Sequence, residues 1–277
     1  MNFQDLMAWY DFKGRVIVIP GGTGILGGEM ACALVGCGAE VVILDHEPSR
    51  ADRIKARLEC GPGTAQVIFG DVLDRETLMQ VEEKVLAQYG HLDALINAAG
   101  GNSGLATTNA QKAFFDLPEE ALKQVVDLNL AGTIFASQVF GKMMADQGEG
   151  VILNISSMNA FRPLTRVPAY SAAKAAVSNF TQWLAVYMAQ EFSPNIRVNA
   201  IAPGFFHTNQ NHYLLYEQDS SQLSSRGRAI IDHTPMGRFG EPQDLLGAMF
   251  WLLSPASKFV TGTVIPIDGG FSAFSGV

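Results

Sequence analysis

Short, continuous apolar runs alternate along the chain with longer segments whose apolar residues recur at helical spacing. Arg15–Ile19 is the first run; it is rich in β-branched residues and ends in a glycine cluster. Glu40–Leu44, Ala65–Phe69, Leu92–Ile96, Val151–Ile155, Ile196–Ile201 and Thr263–Ile267 repeat the pattern and predict strands. Between them, Glu29–Val35, Ser49–Leu58, Thr77–Tyr89, Pro118–Met144, Ala169–Gln190 and Glu241–Leu253 predict helices, with Pro118–Met144 forming one or two. Leu78, Val81, Val85 and Leu86 share one face of such a helix. Strands that are apolar throughout are buried on both sides. Strict strand–helix alternation therefore predicts an α/β fold, a doubly wound parallel sheet with helices on both faces, in a single domain over 1–277. The rhythm breaks once, at residues 205–235, a polar insertion expected to form a substrate lid.

Composition fits a large core. Of 277 residues, 48% are hydrophobic and only 17% charged, which excludes a disordered chain. Nineteen Lys and Arg against 27 Asp and Glu leave a net charge of −8, so no global basic footprint for nucleic acid exists. Asp5 and Asp11 precede every basic residue, unlike a secretory signal. The longest uncharged stretch, Val198–Tyr216, holds Pro203, Gly204 and three asparagines, unlike a membrane span. A cytoplasmic protein is expected. Cys32, Cys37 and Cys60 are too few and too irregular for a disulfide framework and are expected to be buried, inert thiols. His207 and His212 lack a convincing third ligand, so no metal is expected.

Gly22-Thr23-Gly24-Ile25-Leu26-Gly27 spells G-x-G-x-x-G between a predicted strand and a predicted helix, and Asp45 ends the following strand. That context marks a dinucleotide site: glycines admit a pyrophosphate to the backbone and the helix N-terminus offers free N–H groups. A carboxylate at Asp45 suits a ribose 2′-hydroxyl and repels a 2′-phosphate, so NAD is expected over NADP. Asp71, at the third strand end, is positioned for the adenine or for a turn cap. Asn97, Ala98, Ala99 and Gly100, at the fourth strand end, leave room for a cofactor to pass along the backbone. Tyr170 and Lys174 are four apart on a predicted helix and share a face. A lysine charge near a phenol favours phenolate, which brings the tyrosine towards proton exchange with an alcohol or carbonyl. Ser157 ends the preceding strand and is placed to hold the same substrate oxygen.

From about residue 12 to 270 the chain resembles the classical short-chain dehydrogenases/reductases, whose fold is Rossmann-like. Asn97-Ala98-Ala99-Gly100 matches that family's Asn-Asn-Ala-Gly motif with Ala in second place. Asn129-Leu130-Ala131-Gly132 carries its asparagine, and Ser157, Tyr170 and Lys174 match its catalytic serine, tyrosine and lysine. Pro203-Gly204 followed by Thr208 matches its nicotinamide-contacting segment. The first turn departs from the family's Thr-Gly-x-x-x-Gly-x-Gly: Pro20 replaces the threonine and Ile25 the middle glycine. The resemblance implies hydride transfer between nicotinamide and a carbinol or carbonyl carbon. It assigns Tyr170 as acid/base, Lys174 as its tuner and ribose ligand, Ser157 as holder of the substrate oxygen and Asn129 as proton relay. The implied cofactor contacts are Gly21, Thr23, Gly24, Ile25, Leu26, Asp45, Asp71, Val72, Asn97–Gly100, Tyr170, Lys174, Pro203, Gly204, Phe206 and Thr208. A homotetramer is also implied, and the long Ala169–Gln190 helix, apolar on more than one side, fits such burial.

Asn102, Ser157, Asn159, Arg162 and the lid residue Asn209 are the expected substrate contacts, with Ser103, Arg166, His207, Gln210, Asn211 and His212 nearby in sequence. Arginine binds carboxylates and the amides bind hydroxyls, so a sugar acid is expected. Asn154–Pro163 and Pro203–Asn211 resemble the D-mannonate oxidoreductase, or fructuronate reductase, subgroup, which implies D-mannonate and D-fructuronate. A ketogluconate, a polyol or an acyl thioester stands as the alternative substrate, and a noncatalytic NAD-binding regulator as the alternative class.

Overall fold

The computed structural model describes residues 2–206, 215–217 and 222–276. Seven strands, β1 (Val16–Pro20), β2 (Glu40–Asp45), β3 (Thr64–Phe69), β4 (Ala94–Asn97), β5 (Gly150–Ile155), β6 (Ile196–Pro203) and β7 (Val264–Ile267), form one sheet. Its order is β3-β2-β1-β4-β5-β6-β7 and every neighbouring pair is parallel. The winding direction reverses between β1 and β4, which opens a crevice at their carboxyl ends. The described helices are α1 (Phe3–Ala8), α2 (Ile25–Gly36), α3 (Pro48–Leu58), α4 (Arg75–Tyr89), α5 (Glu119–Val126), α6 (Gly132–Gln147), α7 (Pro168–Glu191), α8 (Ser225–Asp232) and α9 (Leu246–Leu253).

The period-2 geometry of strands divides the core between two faces. Ile17 and Ile19 pack with Leu34, Val35, Met249 and Leu252 on one side. Val16 and Val18 pack with Leu78, Val85, Phe140 and Leu184 on the other. β1, β4, β5 and β6 are buried throughout, whereas the edge strands β3 and β7 are only partly covered. The predicted parallel sheet and its seven strands are present. Pro118–Met144 divides into α5 and α6, joined by a π-helical turn at Asp127–Ala131. Glu241–Leu253 begins as a 3-10 turn at Pro242–Leu245 before α9. α1 escaped the reading because it buries no residue and so carries no core pattern. The cysteine expectation is corrected: Cys32 is buried, but Cys37 and Cys60, which lie past the ends of α2 and α3, are exposed.

Two further features bear on function. Arg197, buried on β6, donates to Leu252 O (2.9 Å) and Ser254 O (3.3 Å) and so closes the carboxyl end of α9. On α7, Trp183 stacks between Phe180 and Tyr187, yet Trp183 and Tyr187 remain exposed. Among the described residues, no helix is long and apolar enough to cross a membrane.

Gly21 marks a close backbone crossing between the first turn and the segment after β4. Its φ is +78° and a Cβ there would lie 2.6 Å from the Ala98 carbonyl carbon. Gly14 has a similar φ of +72° with nothing nearby. Gly14→Ala should cost about 1–2 kcal/mol of backbone strain alone. Gly21→Ala should cost clearly more, because backbone must also move, and thermal unfolding of the two variants side by side measures the difference.

Candidate functional site

The first βα turn presents its backbone to the crevice. Gly21 N donates to Leu44 O (2.8 Å), and Ala98 N donates to Pro20 O (3.0 Å). A Cβ on Gly27 would collide with Gly21 O, so this glycine allows α2 to start against the turn. Pro20 is tolerated at the strand end because its carbonyl is all that this crossing uses. The helix is capped at Gly24 without a side chain, which leaves the first-turn N–H groups of Ile25 and Leu26 without intrahelical acceptors. The Thr23 hydroxyl is buried with no hydrogen-bond partner among the described residues. Asp45 is buried; its Oδ2 accepts from Thr23 N (3.1 Å) and its Oδ1 from His46 N (2.9 Å) and Glu47 N (3.3 Å). A carboxylate has about four lone-pair directions, so one remains on Oδ2 for a hydroxyl.

Asp71 is exposed, and its Oδ1 accepts from Leu73 N (2.9 Å), closing the turn before α4. Val72 beside it is buried and packs on Gly132, the first residue of α6. Asn97 and Asn154 face one another in register on β4 and β5. Asn97 Nδ2 donates to Asn154 Oδ1 (2.8 Å) and Ser137 Oγ (3.0 Å), and Asn154 Nδ2 donates to Thr181 Oγ1 (2.9 Å). Ser137 Oγ donates to Thr133 O, and Thr133 Oγ1 to Asn129 O. This line of polar side chains was missed in the sequence, although Asn129, Thr133 and Ser137 recur every four residues from the π turn into α6.

Asn129, fully buried, lies inside the π turn. Its Nδ2 donates to Gly101 O (2.6 Å) and Val125 O (2.7 Å), and its Oδ1 accepts from Gly101 N (3.1 Å). Val125 O is the carbonyl that an uninterrupted α-helix would pair with the Asn129 backbone N–H. The side chain therefore repairs the break that the π turn makes. A Cβ on Gly100 would lie 2.7 Å from Asn129 Oδ1 and 3.2 Å from Lys174 Nζ. Asn129, Gly100 and Lys174 thus converge at the carboxyl end of β4.

Lys174 is buried and its Nζ donates to Ile155 O (2.8 Å) at the end of β5. Burial pushes its pKa down to about 8. The ammonium lies 5.7 Å from the Tyr170 ring centroid. Burial raises the Tyr170 pKa, and a side-chain hydrogen bond with Ser157 opposes that rise. The expectation that the phenol is drawn towards neutrality is therefore corrected for this structure: desolvation outweighs what lowers it. Ser157 and Tyr170 are brought together as expected. A desolvated phenol beside a serine hydroxyl can hand a proton to an oxygen that both groups contact.

The substrate candidates divide. Asn159 is buried, with Oδ1 lacking a partner among the described residues. Asn102 is exposed and its Nδ2 donates to Thr107 Oγ1 (2.8 Å), while Ser103 caps the adjoining 3-10 turn. Arg162 is exposed and donates from Nε to Ser272 O (3.2 Å) in the C-terminal segment. It lines a cavity of about 370 Å³ with His233, Phe271, Phe274 and Ser275, none of them a group of the Ser157–Tyr170 cluster. Pro203 ends β6. Gly204 N donates to Ile267 O (2.9 Å), and Phe206 is buried against Gly240. Thr208 and Asn209, with His207, Gln210, Asn211 and His212, lie outside the described residues.

Residues 23–272 match a family model described as enoyl-(acyl carrier protein) reductase. A Bacillus subtilis protein, the uncharacterized oxidoreductase UxuB, is 45% identical over 96% of this chain and 98% of its own. The 2-dehydro-3-deoxy-D-gluconate 5-dehydrogenase of Dickeya dadantii is 34% identical over 95% and 98%. A Haemophilus influenzae structure with bound NAD, provisionally named a D-mannonate oxidoreductase, superposes with a TM-score of 0.90 at 42% identity, covering 98% of this chain and all of its own. A structure described as a short-chain type dehydrogenase/reductase, from Mycobacterium ulcerans, follows at 0.86 and 28% identity over 95% and 91%. With its sheet order, its glycine turn and its serine, tyrosine and lysine at one crevice, the chain belongs to the short-chain dehydrogenase/reductase family of oxidoreductases.

Proposed function

We propose that this protein is an NAD(H)-dependent oxidoreductase that interconverts a secondary alcohol and a ketone on a sugar acid, with D-mannonate and D-fructuronate as the pair. The observation that carries the reading is the convergence of Ser157, Tyr170, Lys174 and Asn129 beside the small-residue turn after β4. The Haemophilus structure and the gluconate-type relative support a sugar acid as substrate. That second relative also keeps a deoxy-ketogluconate as the alternative, which a substrate panel separates from mannonate.

The crevice fits a dinucleotide. First-turn N–H groups of α2 and the unpartnered Thr23 hydroxyl face phosphate chemistry, and the remaining Asp45 acceptor suits a ribose hydroxyl. Val72 and Asp71 border the adenine side; Pro203, Gly204 and Phe206 border the nicotinamide side, and Thr208, assigned to the same segment, lies outside the described residues. When bound, NAD supplies or accepts the hydride. Ser157 holds the substrate oxygen. Tyr170 gives that oxygen a proton in reduction and takes one in oxidation. Lys174 holds the nicotinamide ribose and acts on Tyr170 by its charge, and Asn129 connects Lys174 to a proton path. Residues 205–235 are read as the substrate lid, and Asn209, assigned to it, lies outside the described residues. The exposed aromatic row on α7 is read as a face of a homotetramer, and the compartment as the cytoplasm.

Tyr170→Phe should lower turnover about 10²–10⁴-fold while the dissociation constant for NADH changes by less than about twofold, as read by nicotinamide fluorescence. Retained turnover would sink the assignment. Asp45→Ser should weaken NAD by about tenfold or more and raise turnover with NADP, measured as the ratio of kcat/KM for the two cofactors.

The raised pKa of Tyr170 sets a pH dependence. The proton-donating form dominates throughout the neutral range, so ketone reduction should stay flat from pH 6 to 7, below the Lys174 pKa of about 8. Alcohol oxidation needs the deprotonated phenol, whose fraction grows about tenfold per pH unit below its pKa. Oxidation should therefore climb with pH, and initial rates in both directions across that range test it.

A further inference from the structure

Two consecutive residues, Ile155 at the end of β5 and Ser156 just after it, hold both ends of Lys174. Ile155 O accepts from its Nζ (2.8 Å), and Ser156 Oγ donates to its backbone carbonyl (3.1 Å). Ser156 is itself fixed: it is buried, and its N–H donates to Ile201 O on β6 (2.8 Å). Its Oγ also meets the half-buried Ser178 Oγ (2.7 Å), one turn further along α7. A serine hydroxyl carries one proton. With that proton on Lys174 O, the Ser178 hydroxyl donates to Ser156 Oγ, so the chain runs in one direction, from Ser178 through Ser156 to Lys174 O.

The periods of the two elements create this seam. The Ile155 side chain packs into the core on one face of the sheet, so Asn154 and Ser156 turn to the other, where α7 lies. On α7, Lys174, Ser178 and Thr181 stand at i, i+4 and i+7 and share a face. Further along, Asn154 Nδ2 donates to Thr181 Oγ1 (2.9 Å). Beyond Thr181 the buried contacts of the helix are apolar, with Leu184, Ala185 and Met188. Apolar burial is non-directional and does not fix how far a helix sits along a sheet, whereas hydrogen bonds do. Space at the tip of Lys174 is tight, since a Cβ on Gly100 would lie 3.2 Å from Nζ, so a small displacement of the helix changes what the ammonium meets.

We propose that Ser156, backed by Ser178, is the positioning residue of Lys174: it fixes α7 on the sheet at the height that delivers the ammonium to the nicotinamide ribose. This rests on the cofactor reading above and not on the identity of the substrate. Tyr170, one turn before Lys174, shares the same anchorage and so keeps its place against Ser157.

The test compares NADH with ADP, which lacks the nicotinamide and its ribose, by calorimetric titration. The ratio of the ADP to the NADH dissociation constant isolates the half of the cofactor that Lys174 serves. Ser156→Ala should lower this ratio about threefold or more while ADP affinity stays within about twofold of wild type. Ser178→Ala should lower it less, and Ser156→Thr, which keeps the hydroxyl, should recover part of the loss. In a Lys174→Met background Ser156→Ala should have no further effect. Where Lys174→Met lowers the ratio, a wild-type ratio in Ser156→Ala, or an equal drop with and without Lys174, overturns the proposal. If Lys174→Met leaves the ratio unchanged, the ribose assignment is what fails. The same cycle read on kcat, with whichever member of the substrate panel the enzyme turns over, then decides: a loss of about tenfold in Ser156→Ala that vanishes without Lys174 supports the positioning role. Absence of coupling between the two positions in both readouts overturns it.

Discussion

The site depends on one buried amide. Asn129 uses both ends of its side chain on backbone: Nδ2 on Gly101 O and Val125 O, Oδ1 on Gly101 N. Those bonds tie the loop after β4 to the π turn between α5 and α6. They also hold Gly100 where no side chain fits, so Lys174 Nζ approaches from α7 to the same point. A π turn in mid-helix is locally unfavourable and leaves backbone groups misaligned. Here the misaligned carbonyl of Val125 is answered by the residue that the turn itself displaces. Loss of the amide would release the loop, the helix junction and the position of the lysine together.

Burial on both faces of the sheet explains why polar atoms in this region are so ordered. Asn97 and Asn154 have no solvent to fall back on, so each amide must find protein partners, and the line from Thr181 to Thr133 supplies most of them. Four buried side-chain atoms lack partners among the described residues: Thr23 Oγ1, Asn97 Oδ1, Asn159 Oδ1 and Ser171 Oγ. Thr23 and Asn159 stand in the two segments read as the cofactor turn and the substrate wall. In a core this dry, an unpartnered acceptor is costly unless a ligand or water meets it.

Much of this was legible in the sequence because it follows from local spacing. A spacing of four from Tyr170 to Lys174 suffices to put them on one face, and a glycine run between a strand and a helix suffices to announce the first turn. Asp45 was legible as a strand-end carboxylate, but not as one already bonded to three backbone N–H groups, since those bonds need the turn to close on it. The π turn left no mark, because the insertion is a matter of how α5 and α6 pack rather than of any breaker residue. The direction of the Tyr170 shift was misjudged for a related reason. Proximity to a lysine can be counted along a helix, whereas desolvation depends on everything packed around it. Arg162 shows the same limit: its place beside the catalytic segment was readable, but its capture by Ser272, over a hundred residues later, was not.

Charge completes the picture. A chain with only 17% charged residues and a net charge of −8 has few cations to place, yet several sit where they are least comfortable. Lys174 is buried enough to fall to about 8, and Arg226 is partly desolvated at a helix N-terminus. Arg197 is the instructive contrast. It is also buried and pushed down, to about 10, but four acceptors surround it: the carbonyls of Leu252, Ser254 and Val260 and the hydroxyl of Ser257. A buried cation that closes a helix end meets its acceptors within the fold. Lys174 meets one, Ile155 O, with two N–H directions to spare. The guanidinium that closes a helix end is thus met within the fold, whereas the Lys174 ammonium, with N–H directions to spare, stands beside Tyr170 and Gly100, where a ligand can meet it.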